Sequence, residues 1–336
     1  MLRVLYSLMP VAAVAIYFFG WYVVSIITVS MLFAFLTEWF MASLRKGKVS
    51  YACFVTAGIY ALSLPPTTPL WIVAVGVIIA ILFAKEMFGG FGKNVFNPAI
   101  VGRAFVFVCF PIEITGHFIP VFTGFPGGFG HWSMTALEQT PRFITDAGLK
   151  AVDAITSATP MWASKNYGFT SSILSLFLGN IGTTFEYEGQ KMVLGAGSIG
   201  EVSTLVIMLS GAYLLWTKTA NWRLTAGTLL GAFSSSLIFR YVFDIQSVPS
   251  PLFTLSSGAL FYVAVFMVTD PVSAPKVTLS QWIYGFFIGI MIVVFRFKSI
   301  FAGGAAFSLL LGNILAPSLD LWINRIKDRR KGAPQA

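Results

Sequence analysis

Residues 2–44 read LRVLYSLMPVAAVAIYFFGW and then YVVSIITVSMLFAFLTEWFMASL, with Arg3 and Glu38 as the only charged residues. A helix that crosses a bilayer needs about 20 predominantly apolar residues. The stretch therefore predicts two consecutive transmembrane helices, about Leu2 to Trp21 and about Tyr22 to Leu44. The first apolar run is long and leads straight into the second, unlike a cleavable signal peptide. The same pattern continues along the chain. Further spans are predicted at about Tyr51–Leu64, Leu70–Phe88 and Asn97–Phe110, then Ile199–Trp216, Leu224–Phe243, Leu252–Val268, Trp282–Phe295 and Gly303–Trp322. A long polar stretch, 111–197, separates the two groups. Its short apolar piece, Ser171 to Leu178, is too brief to span and reads as a re-entrant or surface helix.

Composition agrees with lipid as the main solvent. Of 336 residues 57% are apolar and 10% charged, against about 25% charged in soluble domains. The net charge of +9 is not a nucleic-acid footprint, because the basic residues cluster between apolar spans. Lys and Arg in short loops stay cytoplasmic. Arg45, Lys46 and Lys48 follow the second span, Lys85 and Lys93 the fourth, Lys218 and Arg223 the sixth, and Lys276 the eighth. Arg325, Lys327, Arg329, Arg330 and Lys331 follow the tenth. All fall after even-numbered spans, so both termini are expected in the cytoplasm and 111–197 outside; Arg296 and Lys298 are the main basics of short outer loops. Cys53 and Cys109 sit alone in apolar runs and read as buried, inert thiols. His117 and His131 have no ligand-like spacing, and no metal site is expected.

A faint internal repeat runs through the two groups of spans. N-V-F-N-P-A-I at Asn94–Ile100 parallels N-I-L-A-P-S-L at Asn313–Leu319, and L-P-P-T-T-P at Leu64–Pro69 parallels T-D-P-V-S-A-P at Thr269–Pro275. Five spans is an odd number, so the second group enters the membrane inverted, and inverted repeats with broken helices build central sites in many transport folds. The expected fold is an all-α integral membrane protein of about ten transmembrane helices in two inverted five-helix repeats. The first repeat covers 1–110, a long extracytoplasmic loop 111–197, the second repeat 198–325 and a basic cytoplasmic tail 326–336.

The loop contains D-A-I-T-S-A-T-P, from Asp153 to Pro160. Pro160 biases Thr159 towards extended backbone, which presents its hydroxyl, and Ser157 and Ala158 give little steric cover. On composition alone this is a solvated Ser/Thr turn. The stretch, however, resembles the flavinylation motif D-x-x-S/T-S/G-A-T, whose final Thr is esterified through the phosphate of FMN. That motif belongs to the D subunit of Rnf electron-transport complexes and the related B subunit of the sodium-pumping NADH:quinone oxidoreductase. Three other segments resemble the same family, in the family's order. They are G-G-F-G-K-N-V-F-N-P-A-I-V-G-R-A-F at Gly89–Phe105, G-S-I-G-E-V-S at Gly197–Ser203, and F-M-V-T-D-P-V-S-A-P at Phe266–Pro275. Val202 departs from a common Thr. A long N-terminal extension, associated with the B subunit, is not seen, which leans towards Rnf; the G-R-A-F wording leans towards the B subunit.

The resemblance implies a ten-helix fold, covalent FMN on Thr159, and Asp153, Thr156, Ser157 and Ala158 as the sequence read by a flavin transferase and the walls around the phosphate. It also implies an Rnf-type membrane subunit that passes electrons coupled to Na+ or H+ transport, with the other subunits of an Rnf/Nqr-type complex as partners. The setting would be a bacterial or archaeal cytoplasmic (inner) membrane. Riboflavin, carried by the sodium-pumping relative, is a further cofactor, for which Asp270 is one candidate contact. Ser198 and Glu201 stand in a capping-box spacing and also beside glycines that let a ligand approach. Glu38 inside the second span serves an ion path or pairs with a nearby Lys or Arg. Asn94 and Asn97 line the centre or satisfy backbone freed by Pro98. Arg103 receives an anionic group or snorkels. No P-loop or dinucleotide fingerprint is present, so ATP and NADH are not expected here. The competing classes are a flavin-free solute channel or permease on the same plan, and a structural scaffold subunit.

Overall fold

The structure, a computed structural model, describes residues 1–133, 144, 146–149, 159–298 and 304–332. It opens with helices α1 (Leu2–Phe19) and α2 (Tyr22–Leu44). Along α2, Val23, Ile26, Ser30, Ala34, Glu38 and Ala42 are buried, while Leu32, Leu36, Trp39 and Phe40 are exposed. Each set recurs every three or four residues, the period that lines up one face of a helix. A helix apolar on both faces buries one in protein and offers the other to lipid.

The chain continues through α3 (Ala52–Leu62), α4 (Leu70–Ile81), α5 (Pro98–Cys109), the short α6 (Pro111–Thr115), α7 (Pro160–Tyr167) and α8 (Ile173–Leu178). A two-stranded antiparallel hairpin follows, β1 (Thr183–Tyr187) and β2 (Gln190–Leu194), with Thr183 opposite Leu194. Glu188 and Gly189 both have positive φ, 50° and 79°, as a tight two-residue hairpin turn requires. Then come α9 (Thr204–Trp216), α10 (Trp222–Leu237), α11 (Pro251–Ser256), α12 (Leu260–Tyr262), α13 (Thr278–Lys298) and α14 (Gly304–Gly332). Among the described residues, four helices are long and apolar enough to cross a membrane: α1, α2, α13 and α14. Helices α3, α5 and α9 are apolar but shorter.

Several expected spans are interrupted. α4 passes into a π-helical turn at Leu82–Glu86, and α10 into another at Ile238–Val242. The expected span 252–268 breaks into α11, α12 and a π turn at Val263–Met267. The break lies at Ser257–Gly258, where Gly258 takes a φ of +63° that a β-carbon disfavours. By contrast α14 runs unbroken through Pro317 and on to Gly332, so Pro317 does not divide its helix and residues 326–332 extend the helix.

Two further expectations change. Lys85 is not in a loop: it lies in the π turn after α4, 2% exposed, and pairs with Glu38. Cys53 is buried, but Cys109, at the end of α5, is exposed; the last turn of that helix also exposes Val108, so this face points away from the core.

The broadest helix contact joins α10 and α13. Gly227 and Gly231 on one helix face Gly285 and Gly289 on the other, so the backbones nearly touch. A methyl on Gly231 would stand 2.2 Å from the Phe286 carbonyl oxygen, and one on Gly289 2.2 Å from that of Thr228. Small residues four apart are how membrane helices approach this closely. On the other side of the molecule, Asn97 caps α5 by accepting from Ala99 N at 3.0 Å. Its side-chain amide donates to Met267 O at 3.0 Å, and its backbone N–H donates to Asn313 Oδ1 at 3.0 Å. The start of α5 is thus tied both to the π turn and to α14.

Candidate functional site

Thr159 is extended, with φ −67° and ψ 154°, and caps α7; its Oγ accepts from Trp162 N at 3.3 Å. The following Pro160 fixes both features, since it disfavours helical backbone at Thr159 and suits the first helical position. Gly168, with a left-handed φ of 67°, ends the helix. Asp153, Thr156, Ser157 and Ala158 lie outside the described residues.

Thr159 opens onto a cavity of about 380 Å3, within the ~300–1,000 Å3 of typical small-molecule sites. Arg103 on α5, the Gly197–Glu201 turn, Gly258 in the helix break and Arg296 on α13 share its lining. The cavity therefore draws on segments far apart in sequence and brings Ser198, Glu201 and Thr159 to one place.

Ser198 and Glu201 form the capping box that their spacing predicts: the Glu201 carboxylate accepts from Ser198 N at 2.6 Å. The box closes a 3-10 turn, Ile199–Glu201, whereas α9 starts later, at Thr204. Gly197 makes room for the fold-back, since a methyl there would sit 1.9 Å from Glu201 Oε1.

Arg103 does not snorkel. It is 5% exposed, donates from Nη2 to Ser198 Oγ at 3.1 Å, and lies over the Phe107 ring at 5.3 Å. Its Nε and Nη1 have no partner among the described residues. A buried charge with unmade hydrogen bonds is costly, and each orphan calls for an explanation.

Arg296 reads as an outer-loop residue in the sequence, yet it is partly buried in α13 and donates to Thr254 O at 2.9 Å. A methyl on Gly258 would stand 3.3 Å from Arg296 Nη2 and 3.5 Å from Met161 Cγ, so this arginine approaches the start of α7. One signal in the sequence points to it: an ionisable residue at the end of an apolar run.

A second cavity, about 150 Å3, lies at the other end of α5 and is lined by Lys85, Asn94, Asn97, Thr269 and Asp270 among others. Asp270 accepts from Val272 N at 3.3 Å and from Ser273 Oγ at 2.7 Å, which holds the turn after the π segment. It does not cap the next helix. Asp320 does, accepting from Lys276 N at 2.7 Å and Val277 N at 3.1 Å. Glu38 is 3% exposed and accepts from Ser50 N and Ser50 Oγ, both at 2.8 Å, as well as pairing with Lys85.

The sequence is similar to the B subunit of the Na(+)-translocating NADH-quinone reductase of Azotobacter vinelandii, 35% identical over 301 residues. It is likewise similar to that of Pseudomonas aeruginosa, 34% identical over 301 residues, and of Neisseria meningitidis serogroup A, 34% over 303. These alignments take in 88% of this chain and 65% of each relative's length. The profile of the NQR2, RnfD, RnfE family matches residues 1–327. The chain belongs to the NQR2, RnfD, RnfE family.

Proposed function

We propose that this chain is a membrane subunit of an ion-translocating oxidoreductase, and that it carries FMN as a phosphoester on Thr159. The observation that carries the reading is the shared cavity of Thr159 and Arg103, where a displayed hydroxyl opens onto a buried guanidinium with two unpartnered nitrogens. The residues suit the group. A phosphate on Thr159 would lie at a helix N-terminus, where the helix dipole favours an anion. Arg296, which approaches the start of α7, would stand by the phosphate, and Arg103, Ser198 and Glu201 would surround the remainder. When bound, FMN supplies electron transfer; the protein supplies placement and electrostatics. A covalent tether holds the cofactor at a high effective concentration in its cavity.

On this reading the interrupted helices form ten membrane segments in two inverted repeats, 1–110 and 198–325, with a basic tail at 326–336. Residues 111–197 lie outside the cytoplasmic membrane of a bacterium or archaeon, and both termini lie inside. Asp153, Thr156, Ser157 and Ala158 are read by the flavin transferase. Electrons pass between partner subunits and drive Na+ or H+ transport. The relatives' names favour the sodium-translocating NADH-quinone reductase form, with the Rnf type as the alternative. The cavity beside Asp270 is where riboflavin would be held in the sodium-pumping form.

Fluorescence of the chain in a denaturing gel tests the reading, with wild type and Thr159→Ala each co-expressed with a flavin transferase. A fluorescent wild-type band that disappears in the variant is expected. A dark wild-type band, with the transferase active on another target, would move the assignment to a flavin-free permease. A scaffold role would leave electron transfer intact in Thr159→Ala.

A further inference from the structure

We propose that Arg103 takes up the negative charge that the flavin ring acquires on reduction, and so sets how readily the ring accepts electrons. The proposal rests on the flavin reading above and assigns one residue's part in it.

A guanidinium has five N–H donors. Arg103 is 5% exposed and shows a bond to Ser198 Oγ from Nη2, while Nε and Nη1 are unpartnered among the described residues. Leaving those donors unmet is expensive unless a ligand completes them. Glu201 is the only carboxylate among the described residues lining the cavity, and its Oε1 already accepts from Ser198 N. Arg296 opens onto the same space. The Lys165 ammonium lines it as well. Three cations thus face one carboxylate, and the cavity has an excess of positive charge.

The tether decides which part of the ligand meets Arg103. The phosphate must stay on Thr159 Oγ, at the start of α7, where Arg296 approaches through Gly258 and Met161. Arg103 is held on α5, beside Ser198 and Phe107. The group that reaches it is the remainder of the flavin, with its ring.

The oxidised ring is neutral. Two electrons and one proton turn it into a reduced ring with one negative charge, and a second proton neutralises that ring. A fixed cation in a water-poor cavity favours the charged product. Arg103 therefore promotes reduction with one proton over reduction with two.

The test uses the full chain, purified with its flavin attached and titrated with dithionite while flavin absorbance is followed at a series of pH values. For a two-electron couple a tenfold change in the equilibrium is 29.6 mV. The midpoint therefore falls about 30 mV per pH unit where one proton is taken up and about 59 mV where two are. The break between these slopes is expected about one pH unit or more lower in the protein than in free FMN measured alongside, each unit standing for a tenfold preference. Arg103→Met is expected to lower the midpoint, by about 30 mV per tenfold loss of preference, and to move the break to higher pH. Arg103→Lys, which keeps the charge, should restore most of the shift.

A wild-type break coinciding with that of free FMN overturns the proposal, and needs no variant. So does an Arg103→Met protein with a fluorescent band and an unchanged midpoint. A variant with reduced flavin attachment but an unaltered midpoint would place Arg103 on the phosphate and also overturn it. A dark wild-type band would instead refute the flavin reading itself.

Discussion

Asn313 Oδ1 accepts the backbone N–H of Asn97 at 3.0 Å, across 216 residues of sequence. The same amide donates to Tyr284 OH at 2.7 Å, so one side chain links α5, α13 and α14. Both asparagines are buried. The Asn97 N–H precedes Pro98 and has no helical partner to fall back on. Asn313→Ala is expected to cost about 1–3 kcal/mol, the range for a buried donor left unsatisfied. Tyr284→Phe leaves one buried group unmet, the Asn313 amide, where Asn313→Ala leaves two, and should cost about 1 kcal/mol, the lower end of that range. Thermal melts in detergent compare the two; equal melting temperatures would show that the link to Asn97 contributes nothing.

Glycine placement predicts an order of damage in the α10–α13 contact. Gly289→Ala and Gly231→Ala each bring a methyl to 2.2 Å from a backbone oxygen, whereas at Gly227 the nearest atom is 3.2 Å away. Overpacking typically costs about 1–3 kcal/mol. The first two variants should approach the upper end and Gly227→Ala the lower. Protease resistance of the purified chain on heating would rank them, and an inverted ranking would count against backbone contact as the cause.

Glu38 and Lys85 are both nearly fully buried, 3% and 2% exposed, and make an ion pair. Removing one partner of such a pair typically costs about 3–5 kcal/mol, because the other charge stays buried alone. Lys85→Met should therefore destabilise strongly, and Lys85→Met combined with Glu38→Gln should recover much of the loss. A double variant no more stable than Lys85→Met would mean that the damage comes from the shape of the π turn.

The apolar runs make α1, α2, α13 and α14 legible in the sequence, because their length alone decides a span. The division of 252–268 is not legible in the same way, although Gly258 marks it: periodicity gives no sign of where a helix must take a positive φ. The pairs G-T-L-L-G at 227–231 and G-F-F-I-G at 285–289 carry the small-x-x-x-small pattern that the packing uses, and that signal is present in the sequence. The Ser198–Glu201 box is readable because both partners are local. Charge counting assigns Arg296 to a loop, while only the three-dimensional arrangement shows it beside Gly258. The cap from Asp320 to Lys276 and Val277 crosses more than forty residues, beyond the reach of local spacing rules.

Glu201 joins two roles that one substitution can separate. Its carboxylate closes the capping box on Ser198 N, and it is the only acidic group among the described residues lining the cavity of Thr159 and Arg103. Glutamine serves in a capping box as glutamate does, so Glu201→Gln should keep the turn while removing the charge. With the carboxylate gone, the positive charge of Arg103, Arg296 and Lys165 acts undiminished on the cavity. The attached flavin should then reduce more readily, with its midpoint raised and the pH break moved lower, opposite in sign to Arg103→Met. Glu201→Ala also removes the charge but loses one half of the box, at a cost of about 1 kcal/mol, and should show the same redox shift with a lower melting temperature. Redox titration and thermal melts of the two variants side by side give the answer. A Glu201→Gln midpoint equal to that of wild type would mean that the carboxylate is screened from the ring and acts through the turn alone.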